Sequence, residues 1–126
     1  MTSLLQAEIT VQAERRPDAP AVAPAQGADL TYGELEAASN RLGRLLRDAG
    51  CGRGDRVCLL APKSPAVVIA LLGVLKADAV WVPLDPASPP ARLRKVLAAC
   101  AGRWILAGVD RRELGERFVL HVAQTP

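Results

Sequence analysis

The chain has 126 residues, half of them apolar and 23% charged, with a net charge of +3 at pH 7. That length fits one small domain able to bury a core. Ten Gly and ten Pro without a period exclude a collagen-like chain, and high apolar content with low net charge excludes a disordered one.

Leu4 to Arg16 has the pattern of a helix, with Ser3 as its cap and Pro17 as its stop. Ala21-Val22-Ala23 and Asp29-Leu30 flank a loop containing Pro24 and Gly27, the pattern of a short hairpin. Thr31-Tyr32-Gly33-Glu34 is a capping box, in which hydroxyl and carboxylate each accept from the other residue's amide. The helix it opens carries Leu35, Ala38, Leu42, Leu45, Leu46 and Ala49 as an apolar stripe. Gly50 suits the left-handed position after its last turn.

Three apolar runs follow: Val57 to Ala61, Ala79 to Val82 and Trp104 to Ala107. None shows polar alternation, as expected of parallel strands covered on both faces. Ser64-Pro65 opens a connecting segment that is apolar on all sides to Leu75, which predicts a buried helix. A second connecting helix begins near Ser88-Pro89-Pro90, carries Leu93, Val96, Leu97 and Cys100, and ends at Gly102. The strand starts lie about two dozen residues apart, the length of a strand plus a crossover helix. A charged turn around Asp110-Arg111-Arg112-Glu113 precedes a further strand at Phe118 to Val122.

The expected fold class is α/β. A partial three-layer αβα subdomain is built on a βαβαβ parallel sheet with right-handed crossovers, preceded by a helix and a short hairpin. Residues 1–126 read as one subdomain, with no repeat and no dividing linker. The longest apolar run, Ala66 to Leu75, falls short of the roughly 18 residues of a membrane helix. Glu8 and Glu14 interrupt the region where a signal peptide would be apolar. The expected setting is therefore cytoplasmic, without a membrane partner.

Chemistry-bearing motifs are sparse. Thirteen Arg and three Lys are scattered among acids, as in Arg44, Arg47, Asp48 and Arg53, Asp55, Arg56. A nucleic-acid interface gathers its basic residues on one face, with stacking aromatics. Only Tyr32, Trp81, Trp104 and Phe118 are aromatic, and they lie in apolar runs, so no nucleic-acid partner is expected. Gly50-Cys51-Gly52-Arg53-Gly54 follows a helix and precedes a strand, the reverse of a dinucleotide fingerprint, and reads as a helix stop and turn. No G-K-[ST] tripeptide marks a P-loop.

Cys51, Cys58 and Cys100 form no C-x-x-C pair, and with His121 they have none of the usual zinc spacings. They read as structural thiols in a reducing compartment. His121, the lone histidine, sits in an apolar run and reads as a structural residue. Lys63 and Ser64 follow the first strand at a helix N-terminus, where open α/β sheets place ligands and where an anion is favoured. The simpler reading is a capping Ser64 and a solvated Lys63. Asp85, after the second strand, either orients a ligand or organises its turn, and the turn role is the simpler one.

Two stretches carry a family resemblance. Leu30-Thr31-Tyr32-Gly33-Glu34-Leu35 resembles the L-[ST]-Y-x-E-L signature near the start of adenylate-forming (AMP-binding) enzymes. Leu75-Lys76-Ala77-Asp78-Ala79-Val80-Trp81-Val82-Pro83-Leu84-Asp85-Pro86 resembles their L-K-A-G-x-x-Y-V-P-L-D-P signature, and Arg92-Leu93 matches the R-L that follows. Pro17-Asp18-Ala19-Pro20-Ala21-Val22 fits the usual opening, and order and spacing agree over residues 3 to 107. The V-P-L-D-P version is most similar to amino-acid adenylation domains of non-ribosomal peptide synthetases. Asp78 stands in place of the usual Gly, Trp81 in place of a common Tyr, and Ser88 in place of another. The Asp78 site is expected to need a left-handed backbone.

The resemblance implies an intact enzyme that uses ATP and magnesium to convert a carboxylate into an acyl-adenylate for a carrier thiol. Family members are several times longer. Their phosphate loop, substrate pocket, metal-binding acid and catalytic lysine fall beyond these residues, so no catalytic, cofactor-binding or metal-binding residue is assigned here. The chain is expected to be a truncated opening part of the N-terminal region and inactive alone. Its partners would be the remainder of the adenylation domain, or a complementing chain, and a carrier protein. Two alternatives stay open. One is a short non-catalytic interaction module or decayed remnant, motivated by Trp104 to Ala107 as an unpaired apolar edge. The other is an unrelated ligand-binding domain using Lys63 and Ser64.

Overall fold

Local signals set the element boundaries, and the computed structural model describes residues 4–24, 28–61, 64–99, 104–111 and 115–122. In chain order these form α1 (Leu5–Arg15), β1 (Pro20–Val22), β2 (Leu30–Thr31), α2 (Tyr32–Asp48) and β3 (Arg56–Leu60), then α3 (Pro65–Lys76), β4 (Val80–Leu84), α4 (Pro90–Ala99), β5 (Trp104–Arg111) and β6 (Gly115–Val122).

The capping box starts α2 as expected. The Glu34 amide donates to Thr31 Oγ1 at 3.1 Å, and the Thr31 amide donates to Glu34 Oε1 at 3.1 Å. The Thr31 amide, and secondarily its hydroxyl, hold the Glu34 carboxyl below its ordinary range. The two helix ends that position the core are alike. After α2, Gly50 takes φ 100°, its amide bonds the Arg47 carbonyl, and the Cys51 amide bonds the Leu46 carbonyl. After α3, Asp78 takes φ 64°, its amide bonds the Leu75 carbonyl, and the Ala79 amide bonds the Val74 carbonyl. Both are Schellman endings, the second with Asp where glycine is the unstrained choice.

β1 and β2 pair antiparallel as the short hairpin. The larger sheet has the order β4-β3-β5-β6, with β4 and β5 parallel to β3 and β6 antiparallel to β5. Val57 lies between Trp81 and Trp104, and Cys58 between Val82 and Ile105. The crossover through α3 leaves β3 in one direction, and the crossover through α4 returns past β3 in the other. By the right-handed rule for parallel strands, crossovers of opposite direction assign their helices to opposite faces of the sheet.

One face of β3 and β5 packs under α2 and α3. Leu42, Leu46, Val57, Leu59, Val74, Trp104 and Leu106 form this core, with Trp104 only 1% exposed. Fully burying each such large side chain is worth about 1.5–3 kcal/mol. The two helices approach closely because both carry glycine at the seam. A Cβ on Gly73 would lie 2.7–2.8 Å from Leu42 Cβ, Cγ and Cδ2, and one on Gly43 would lie 3.2 Å from Lys76 Cβ.

Several expectations need correction. The strand Trp104 to Ala107 is not an edge: β5 runs to Arg111 and lies between β3 and β6, so the motive for an interaction module through that edge falls away. Its partner β6 contains the expected Phe118 to Val122 strand. Among the described residues the unpaired edge of β4 is the one on the parallel side, and Pro83 in that strand suits an edge position. Helix α3 is not buried all round. Ala70, Leu72, Gly73 and Val74 are buried, while Val67, Val68 and Leu71 are half-buried. The buried side of α2 is Leu35, Ser39, Leu42, Gly43 and Leu46, and Leu45 turns outward at 52% exposure. Leu4, not Ser3, is the N-cap of α1, without a side-chain cap bond. Ser3, Cys100, Gly102, Arg112 and Glu113 lie outside the described residues.

Replacing Gly73 with Ala gains roughly 1 kcal/mol of helix propensity but drives a methyl into the base of Leu42. Gly73→Ala is expected to lower the unfolding free energy by about 1–3 kcal/mol in urea titrations, and an unchanged or higher value would show that the helices separate freely. Asp78→Gly is expected to raise it by about 0.5–1 kcal/mol by relieving the left-handed backbone. The Glu34 contribution is present above the ordinary carboxylate range and is lost as pH falls through the lowered folded-state value. The stability of Glu34→Gln should accordingly change less with pH than that of the parent chain in acid titrations followed by circular dichroism.

Candidate functional site

The carboxyl ends of β3 and β4 lie side by side and lead into the two crossovers, through α3 and α4, and the crevice beyond such strand ends is where open α/β sheets bind ligands. Lys63 lies outside the described residues. Ser64 occupies the N-cap of α3 with extended backbone, and its carbonyl accepts from the Val67 amide at 3.1 Å, but its hydroxyl makes no cap bond. The expected capping role of that hydroxyl is thus not realised, and the amide of Val67, the third residue of the helix, bonds the Ser64 carbonyl instead.

Asp85 organises the turn after β4. Its Oδ1 accepts from the Ala87 amide at 2.9 Å, and its carbonyl accepts from the Ser88 amide at 3.0 Å. That is the self-bonded turn preferred for Asp at such positions. Beside it, on the α3 face, is an apolar cleft of about 600 Å³ lined by Leu59, Ala61, Val67, Trp81 and Pro83.

The Gly-rich stretch is structural. Gly52 and Asp55 clasp each other, with the Gly52 amide on Asp55 Oδ2 at 2.8 Å and the Asp55 amide on the Gly52 carbonyl at 3.0 Å. The Gly54 amide bonds the Asp78 carbonyl at 3.2 Å, and the Val80 amide bonds the Asp55 carbonyl at 2.7 Å. The loop therefore ties the start of β3 to the turn between α3 and β4, with its glycine amides engaged within the chain. Cys51 and Cys58 are buried. His121 stands opposite Ile105 in the β5–β6 register. Among the described residues no group of three His, Cys, Asp or Glu gathers to hold a metal ion.

The densest polar cluster lies where α1, α2 and α3 meet. Lys76 Nζ donates to Glu36 Oε1 at 2.7 Å, Ser39 Oγ at 2.7 Å and Asn40 Oδ1 at 2.9 Å. Glu36 also accepts from Thr10 Oγ1 at 2.9 and 3.0 Å, which brings in α1. Ser39, fully buried, donates to the Glu36 carbonyl, and the Arg47 guanidinium donates to the Lys76 carbonyl. The Lys76 and Glu36 side chains are 13% and 17% exposed. All three ammonium donors of Lys76 have short partners, so this lysine is a structural pin and not an available acid or base. The sequence reading places Lys76 only within a motif. A signal for its role was present: Glu36, Ser39 and Asn40 share one face of α2 by their i, i+3 and i+4 spacing, opposite a cation ending an otherwise apolar helix.

The sequence profile of the AMP-binding enzyme family matches residues 9–124, and the chain belongs to that family. It is 43% identical over 97 residues to surfactin synthase subunit 2 of Bacillus subtilis (strain 168), a match covering 77% of this chain and 3% of that protein. Over 108 residues it is 36% identical to nonribosomal peptide synthetase 8 of Aspergillus fumigatus, covering 86% of this chain and 1% of that protein. The chain thus spans a small fraction of the length of these relatives. Among solved structures, the AMPPNP-bound form of the nonribosomal peptide synthetase FmoA3 superposes with a TM-score of 0.80 at 36% identity, covering 87% of this chain and 12% of that one. The N-terminal subdomain of Klebsiella oxytoca NpsA, in complex with 3-hydroxyanthranilyl-AMSN, superposes at 0.76 with 27% identity, covering 84% of this chain and 27% of that one. The chain therefore has the fold of about a quarter of the NpsA N-terminal subdomain.

Removing the pin leaves Glu36 and Ser39 half-satisfied between helices. Lys76→Met is expected to cost about 1–3 kcal/mol, between the worth of exposed and buried pairs. In a double-mutant cycle with Glu36→Gln, most of that loss should appear as coupling between the two sites. Additive losses would show that the pair does not act as a unit.

Proposed function

We propose that the chain is the opening part of the N-terminal region of an amino-acid adenylation domain. The whole domain uses ATP and magnesium to convert an amino-acid carboxylate into an acyl-adenylate, after which a carrier-protein thiol takes the acyl group. The observation that carries this reading is the family match over residues 9–124, with relatives that are peptide synthetases. It is supported by similarity to proteins whose structures hold AMPPNP and, in VinN at 28% identity, L-aspartate.

In the proposed reaction a carboxylate oxygen attacks the α-phosphorus of ATP, forming an O–P bond as the bond to pyrophosphate breaks. Such transfers depend on positive groups placed at the developing charge. The described residues do not fit that task. Lys76 and Glu36 satisfy each other, Asp85 is held in its turn, and no metal-ligating group assembles. No step is therefore assigned to magnesium through these residues. Their proposed share is scaffolding: they set the β3–β5 strand ends and the α2–α3 layer against which the reacting part of the domain is built. The proposed setting is cytoplasmic, in keeping with described helices none of which is long and apolar enough to cross a membrane.

Amino-acid-dependent exchange of labelled pyrophosphate into ATP tests both halves of the reading. The 126-residue chain alone should give no exchange above a blank with any amino acid, whereas a longer polypeptide carrying this segment should give exchange with at least one. Exchange by the isolated chain would overturn the scaffold role, and a longer polypeptide inert with all amino acids would overturn the adenylation reading.

A further inference from the structure

We propose that α1 is a releasable strap, latched over the α2–α3 seam by the Thr10 hydroxyl on the Glu36 carboxylate and hinged at Arg16. The helix buries none of its residues. Of its large apolar side chains only Ile9 is half-buried, while Leu5 and Val11 are 52% and 37% exposed. Two clefts separate it from its neighbours. One, about 470 Å³, opens between Gln6 and Ala7 on the strap and Gly43 and Lys76 opposite. The other, about 430 Å³, opens between Ala13 and Glu14 on the strap and Gly33 and Ala37 opposite. Thr10, Glu36 and Asn40 line both, so the contact of Thr10 with Glu36 stands between them. Gln6 Nε2 also reaches the Leu75 carbonyl, at 3.5 Å, the outer limit of a hydrogen bond.

The latch can let go at low cost. Thr10 Oγ1 lies 2.9 and 3.0 Å from the Glu36 oxygens and 3.1 Å from the Gln6 carbonyl of its own helix. A hydroxyl carries one proton, so turning it to the Gln6 carbonyl or to water frees Glu36 without stranding a donor. Glu36 keeps its 2.7 Å bond to Lys76, so neither side of the latch is left buried and unpaired. The chain beyond the helix is fixed. The Gly33 amide bonds the Pro17 carbonyl at 2.9 Å, and the Tyr32 amide bonds the Ala19 carbonyl at 3.0 Å. Arg16, with φ −140° and ψ 65°, is the residue between the helix and this anchor, which makes it the hinge. Once released, an 11-residue helix without a side-chain cap falls below the roughly 12–15 residues at which isolated helices are even marginal in water. Release and melting are therefore one step. It uncovers Glu36 and Gly43 while α2 and α3 stay closed over β3 and β5.

Amide-resolved hydrogen exchange on the 126-residue chain tests the strap. The amides of Ile9 to Arg15 are expected to open at least about 10-fold more often than those of α2 from Leu35 to Leu46, with a shallower denaturant dependence, the marks of a local unit. Thr10→Val keeps the shape and removes the donor, and it is expected to raise the opening of α1 about 5–30-fold, the worth of one hydrogen bond. Val57→Ala, in the core of the sheet, should raise the opening of α2 and leave that of α1 unchanged. A common opening and slope for the two helices, or an α1 opening that follows Val57→Ala, means that α1 leaves only with the whole fold and overturns the proposal. An α1 opening untouched by Thr10→Val removes the latch and overturns it too. If the short chain does not fold, exchange of the peptides spanning residues 5–15 and 35–46 is compared in a longer polypeptide carrying this segment. The same separation is expected there, and equal opening of the two peptides overturns the proposal.

Discussion

The close approach of α2 to α3 is the constraint on which the rest of this fold depends. Leu42 lies directly on Gly73, where no other residue leaves room, and Gly43 faces the stem of Lys76. That distance brings the Lys76 ammonium within reach of Glu36, Ser39 and Asn40 together. Dispersion contacts and hydrogen bonds here require one another, since a wider helix spacing would open a void at Leu42 and lengthen every bond of the cation. Through Thr10 the same cluster holds α1, which buries no residue of its own.

The seam also determines what the sheet can do. Leu42, Leu46 and Val74 from the two helices close over Val57, Leu59, Trp104 and Leu106, so β3 and β5 are fixed relative to the helical layer. The two Schellman endings then send the chain from each helix back towards the sheet at a defined angle. The Gly52–Asp55 clasp joins those two returns, because Gly54 and Asp55 bond the backbone of Asp78 and Val80. A rigid set of parallel strand ends results, while the polar groups nearby are used in turns and helix contacts.

Features governed by neighbours in sequence were legible before the structure. The Thr31–Glu34 box, the left-handed Gly50 and Asp78, the Asp85 turn and the alternation of strands and helices all follow from local spacing and backbone sterics. The family motifs were legible because they coincide with those same helix ends and turns. Strand order was not, since the apolar run from Trp104 reads the same as an edge or as an interior strand, and only the direction of the α4 crossover places it beside β3. The role of Lys76 was hidden for a similar reason. Its partners lie on another helix, and which face of α2 it meets depends on the glycines that permit the contact. The half-buried side of α3 was misjudged as fully buried because an all-apolar helix reports what it needs covered, not what covers it.

On this account α2, α3 and β3 form one cooperative unit held by their seam. Native-state hydrogen exchange measured amide by amide against low concentrations of denaturant tests it most directly. The account predicts that the slowest amides, in α2 from Leu35 to Leu46, α3 from Ala70 to Val74 and β3 from Val57 to Leu59, share a single opening free energy and a single denaturant dependence. Exchange of the α2 amides through a smaller opening that leaves α3 and β3 protected would contradict it.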